Sequence, residues 1–458
     1  MEMAKHVKEL QIFWKENFEN KIMIDYSYMR PKKAEDLMMR YKDISHYSGN
    51  LSVEIYDDAV ALPCKKHDGL FGKGGLIDSE GRLIEESVIP GIYSGVYQYD
   101  ELEEKNETVV FCGYFINHWG HFLVEAVSRL WYFIQEDDTQ IDKYVFVVGE
   151  NEHRILKGNY KKFFSLLGIL EKIEIINKPT KFSKVILPQR SCKRPYYYAD
   201  EYKLIFDFVV GRNKVDSSWK RYDKIFLTRS RLKKAKESDI GSDMLDNYFK
   251  NNGYKIIAPE ELDLSEMIFY LRNAKIVAAV AGTLPLNLMF SIDNQKVIMI
   301  ERVVINNEYT TLATIARNLD VTYIDSYISI YTTDLGSGPF MFFYRGLLEK
   351  YTKDNGLNPP EARYLSNTYE KSCFKKYMKI YHHAYGYAWY MYDWAEKDIG
   401  AYREAYYDSL KYFSDYIWGL RPFKIEHFFQ FRYIKQFVKR TLIRKCFKRR
   451  RSAISSTN

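Results

Sequence analysis

A chain of 458 residues, 46% hydrophobic and 28% charged, has the composition of a soluble globular protein and is longer than one core requires, so two domains and an appendage are expected. Its five cysteines, Cys64, Cys112, Cys192, Cys373 and Cys446, are odd in number and widely spaced, which argues against a disulfide framework or a Cys-x-x-Cys zinc site. The net charge of +8 belongs to one end: from Arg421 onward twelve Lys or Arg face a single acid, Glu426, for +11, and the remaining 56 against 59 leave the body at −3.

Residues 1–50 read as a charged helical arm with Val7, Leu10, Phe13 and Trp14 at helical spacing, and the first residues lack a signal peptide's apolar stretch. Between Leu51 and Tyr99, short alternating runs meet the turn clusters Gly72–Gly75 and Asp78–Gly81 and read as hairpins. The β-branched and aromatic run Thr108–Cys112 then leads into a segment with helical periodicity. Trp119, Phe122, Leu123, Ala126, Leu130 and Phe133 form its core stripe, and His121, Glu125 and Arg129, each four apart, stack on successive turns of the other face. Buried strands at Tyr144–Val148 and Lys184–Leu187 flank a helix through Phe163 and Leu167, and with a helix at Glu201–Val209 they complete an α/β unit over 51–212. After a polar linker at 213–218, strands at 224–228, 255–257, 275–280, 296–300 and 321–324 alternate with helices, one opening on Asp263 and Glu266 in capping-box spacing. This predicts a parallel Rossmann-like sheet within 213–335. Residues 336–420 begin loop-rich and become helical and rich in tyrosine, with a helical hairpin at 384–412. The tail, 421–458, interleaves aromatics with cations, the pattern of an amphipathic helix on an anionic membrane surface. Nucleic acid is not expected as its partner, since no recognised nucleic-acid motif occurs elsewhere. No run reaches about 18 consecutive apolar residues. A cytoplasmic protein, peripheral on the inner membrane face, is the expectation.

The segment His118-Trp119-Gly120-His121-Phe122-Leu123-Val124-Glu125, followed by Arg129-Leu130-Trp131, resembles glycosyltransferase family 61, with His118 where that family has Asn. Further matches arrive in the family's order: Ile225 to Arg231, a strand ending in an arginine loop, then Pro259–Leu262, Ala281-Gly282-Thr283, Asn287–Phe290 and Val297–Glu301. Together they cover roughly residues 50 to 330. The resemblance implies a GT-B architecture, in which two Rossmann-like domains face each other. It also implies transfer of a sugar from a nucleotide-sugar donor to a glycan or lipid-linked glycan acceptor, as in capsular polysaccharide synthesis.

Such a transfer needs a base for the acceptor hydroxyl and cationic groups for the departing diphosphate. His121, braced by Glu125, is the expected base and Glu125 the alternative, with Asn117, His118 and Arg129 as substrate contacts. Arg229 and Arg231 follow a strand and suit the diphosphate, as do the backbone amides of Gly282 and Thr283 on the way to Asn287. Glu301, at the end of the next strand, is the expected ribose contact. The chain contains no Asp-x-Asp, the motif by which GT-A transferases hold a divalent cation, so no metal and no other cofactor is expected. Three other readings stay open: a metal-dependent hydrolase using His118, His121 and Glu125, a non-catalytic polysaccharide-binding scaffold, and a helical adaptor acting through the tyrosine-rich region.

Overall fold

The computed structural model describes residues 23–68, 71–89, 94–136, 139–193, 196–232, 238–304, 308–328, 338–385, 404–405, 408–409 and 411–413. The expected arm helix through Val7 and Trp14, Lys233, Lys234 and Lys236 of the basic run after the arginine loop, most of the helical hairpin and the whole basic tail lie outside these residues.

Two sheets dominate an α/β fold. The first has seven strands in the order Leu83–Ile84, Phe71–Ile77, Val53–Asp68, Thr180–Pro188, Glu103–Tyr114, Lys143–Val147, Ile173–Ile176. Its far half is parallel and its near half antiparallel. The hairpin register differs from the sequence expectation at one point. Gly72–Gly75 lies inside the strand Phe71–Ile77, and only Asp78–Gly81 turns, with the Asp78 carboxylate accepting from the Glu80 and Arg82 amides.

The second sheet has six strands, all parallel, in the order Ile24–Tyr28, Asp320–Asp325, Lys296–Glu301, Ile276–Val280, Lys224–Leu227, Lys255–Ile257. The central strands are apolar on both faces, as helices on both sides demand. Between Lys224–Leu227 and Ile276–Val280 the connections leave in opposite directions. The chain passes from 224–227 outward to 255–257, then back across to 276–280, 296–301 and 320–325. A crevice opens at the carboxyl ends of the strands where the order reverses in this way. The edge strand Ile24–Tyr28 belongs to the segment expected as a helical arm. It pairs with Asp320–Asp325, and only the next element, Pro31–Asp43, is helical.

That helix is fastened to the sheet by buried charge. Lys33 Nζ lies 2.5 Å from Glu301 Oε2 and 3.5 Å from Asp325 Oδ1, and Arg30 bridges Asp325 and Asp408 at 3.4 and 2.9 Å. Along the second sheet, the helix Leu264–Asn273 opens on Asp263, whose carboxylate accepts from the Ser265 amide at 2.8 Å. The capping box is half made, because Glu266 accepts from Tyr270 rather than reaching back. The sheets share one core: Phe122 and Phe163 from the first side meet Phe206 of the helix Asp200–Gly211 and Phe290 of the second side through edge-on aromatic contacts.

Candidate active site

Near the end of the strand Glu103–Tyr114, where its pairing with Lys143–Val147 shifts register, Gly113 has a φ of 101°, which admits only glycine without strain. Asn117 and His118 are exposed on the connecting loop, and His118 precedes a single helical turn, Trp119–His121. The continuous helix that the spacing predicts is absent here. Phe122–Ala126 forms a π turn closed by Val127 N donating to Phe122 O at 3.1 Å, and helical geometry resumes only at Trp131. The carbonyls freed by this turn are taken up from outside it: the buried Tyr202 hydroxyl donates to Leu123 O, and Ser128 Oγ donates to Glu125 O. Those partners fix a local geometry that an isolated helix would not choose.

The π turn separates the three residues expected to stack. His121 Nδ1 sits 3.3 Å from Glu125 Oε2, with both side chains partly open to solvent, and the His118 ring lies edge-on to His121 at 5.1 Å. The pair that suits base chemistry is therefore assembled. Arg129 is not with it: the extra residue per turn rotates Arg129 inward, where Nε donates to Pro188 O at 2.8 Å and Nη2 to Glu86 O at 2.5 Å.

The second sheet brings its loops to the same place. Trp119 Nε1 donates to Asn287 Oδ1 at 2.8 Å, so Trp119 and Asn287 join the two halves through their side chains. Gly120 packs so closely on the opposite loop that an added Cβ would lie 2.7 Å from Thr283 Cβ. Gly120→Ala is accordingly expected to push the turn off the loop, with a loss of about 1–3 kcal/mol in stability and a drop in activity. Thermal melting beside a turnover assay checks this, and an unchanged melting point would contradict the contact.

Gly282, at a φ of 141°, continues the chain of close approaches: a Cβ there would meet Arg302 Nη2 at 3.0 Å. Arg302 is buried against the Phe340 ring at 4.1 Å, and its Nη1 lies 4.0 Å from Asp239. Arg229 Nε donates to the other oxygen of the same carboxylate at 2.9 Å. One fully buried carboxylate thus orients two guanidiniums and leaves a positive charge. Burial and the neighbouring Arg229 charge pull Arg302 down to about 10. Asp246 steadies the arginine loop by accepting from Thr228 and Ser230, both at 2.6 Å.

Other expected contacts fall differently. Arg231 is half exposed and pairs with Glu261, and Glu301 is turned the opposite way from Arg302, buried on Lys33. Arg302 and Asp239 are residues that no motif in the sequence singles out. A signal for Arg302 is nonetheless present, since it is the residue next to Glu301 and adjacent strand residues point to opposite faces. Among the described residues no three His, Cys, Asp or Glu side chains are grouped so that they could hold a metal ion.

Residues 119–298 match the family described as Glycosyltransferase 61. Over this stretch, less than half of its length, the chain is similar to glycosyltransferase family 61. The matched span starts at Trp119 and ends within the strand Lys296–Glu301, so it takes in the His121–Glu125 turn, the arginine loop and the Gly282 loop. No curated protein matches the chain.

Proposed function

We propose that the chain is an inverting, metal-independent glycosyltransferase of GT-B type, transferring a sugar from a nucleotide-sugar donor to a glycan or lipid-linked glycan acceptor in polysaccharide synthesis. The observation that carries this reading is the contact of Gly120, beside the His121–Glu125 pair, with Thr283, next to Gly282, which packs on Arg302 of the Asp239-held arginine pair where the second sheet reverses its strand order. A diphosphate placed beside Gly282 would meet two guanidiniums, which supply charge that a divalent cation supplies elsewhere. His121 would take the acceptor's proton as the hydroxyl oxygen attacks the anomeric carbon and the diphosphate leaves, a single displacement that inverts configuration. Glu125 would stabilise the resulting imidazolium. Asn117 and His118, exposed on the loop before the turn, would contact the acceptor sugar. A thermal-shift screen of nucleoside diphosphates and nucleotide sugars tests this: one nucleotide should stabilise the protein, and Arg229→Ala should remove the effect.

The tail supplies the location in this reading. Its +11 charge and interleaved aromatics suit an anionic cytoplasmic leaflet, each cation contributing about 1 kcal/mol near the surface. Truncation after Gly419 is expected to release the protein from acidic liposomes in a flotation assay while transfer to a soluble acceptor analogue persists. Full-length protein that stays off such vesicles at low salt would remove the membrane from the account.

A further inference from the structure

A second cationic cluster gathers just past the strand Thr180–Pro188 of the first sheet, apart from Arg229 and Arg302. Ser191 donates from both N and Oγ to Ser128 O, at 2.8 and 2.7 Å, tying the segment after Pro188 to the turn that carries Glu125. This places three cations on one carboxylate: Glu86 lies 3.5 Å from Arg190 Nε, 3.7 Å from Lys193 Nζ and 4.0 Å from Arg129 Nη2. The cluster therefore carries an excess of two positive charges. Arg129 is satisfied by the Pro188 and Glu86 carbonyls. Arg190 is different. Its side chain is only 7% exposed, its Nη2 has no hydrogen-bond partner among the described residues, and its Nε has only the ion contact with Glu86. A buried guanidinium with unmet donors is unfavourable unless a ligand completes it. The strain shows in Arg129, which burial and then the Arg190 charge pull down to about 9. Lys193 and Glu86, each about one-third exposed, open the cluster to solvent.

We propose that Arg190 and Lys193 form a second oxyanion site that holds an acidic group, a carboxylate or a phosphate, of the acceptor. The acceptor is then an acidic or phosphorylated glycan rather than a neutral one. This rests on the reading of the protein as a transferase, in which the second sheet holds the donor and the first the acceptor. A guanidinium beside an ammonium group suits such an oxyanion because the fork pairs with two oxygens while the lysine adds a point charge.

The test uses the full chain and two probes, inorganic phosphate and glucuronate, with chloride at equal ionic strength as reference. Melting temperature and calorimetric binding are read for wild type, Arg190→Gln and Lys193→Gln. One or both probes should stabilise the wild type beyond chloride, and Arg190→Gln should lose most of that response. A response to phosphate alone indicates a phosphorylated acceptor, and one to glucuronate alone a uronic acid. In chloride, Arg190→Gln should melt higher than wild type by about 2 °C or more, because an uncompensated buried charge is gone. If Arg190→Gln fails to fold, Lys193→Gln carries the test through at least a threefold weaker response. Equal responses in wild type and Lys193→Gln, or no wild-type response to either probe, would overturn the site. Nucleoside diphosphate binding is measured in parallel and should be unchanged in both variants. An intact probe response in a wild type that binds no nucleotide would overturn the assignment to a transferase acceptor.

Discussion

His121→Ala is expected to lower turnover by about two to four powers of ten while leaving the fold and nucleoside diphosphate binding close to wild type. The imidazole is partly open to solvent, with a side-chain exposure of 31%, so truncation leaves no sealed cavity in the core. Its Nδ1 faces Glu125 at 3.3 Å, which fixes the orientation of the ring. Glu125→Gln keeps a hydrogen-bonding group at that position but removes the charge, and is expected to fall between wild type and His121→Ala. Single-turnover kinetics separate the chemical step from binding. Near wild-type turnover in His121→Ala, with collapse in Glu125→Gln, would transfer the proton-accepting role to the carboxylate.

The second large effect concerns the donor. Arg229→Ala and Arg302→Ala are each expected to weaken nucleoside diphosphate binding roughly ten- to hundredfold, the loss of a charge-assisted contact of about 1.5–3 kcal/mol. Asp239 strengthens the expectation, because it holds Arg229 through Nε and thereby leaves the terminal nitrogens directed elsewhere. Arg229→Lys should rescue little, since an ammonium cannot both bond Asp239 and present a planar fork. Either alanine variant should leave acceptor binding nearly unchanged. Calorimetry decides: equal nucleotide affinity in wild type and both variants would take the diphosphate away from this pair.

Much of the second sheet is legible in the chain. β-branched apolar runs such as Ile276–Val280 and Lys296–Glu301, alternating with helical segments, read as buried parallel strands, and the residues just past the ends of such strands lie at the crevice, which locates Arg229 and Gly282. The departures share one physical source, contacts distant in sequence. The π turn at Phe122–Ala126 depends on the Tyr202 hydroxyl, 79 positions from Leu123, and four-residue spacing carries no trace of it. By spacing alone Arg129 therefore shares a face with Glu125. The burial of Glu301 likewise rests on Lys33, 268 positions away, which draws its carboxylate inward. Ile24–Tyr28 is an edge strand that, among the described residues, pairs only with Asp320–Asp325, so its charged surroundings read as a helical arm.

The most direct measurement of the central claim is product analysis. Wild-type protein and His121→Ala are incubated with a panel of nucleotide sugars and acidic and neutral glycan acceptors, and released nucleoside diphosphate and the anomeric configuration of the product are monitored by NMR. Wild type should release nucleotide only in the presence of an acceptor and give a product of inverted configuration, and His121→Ala should lose both. Retained configuration, or equal release by the two proteins, would contradict the claim.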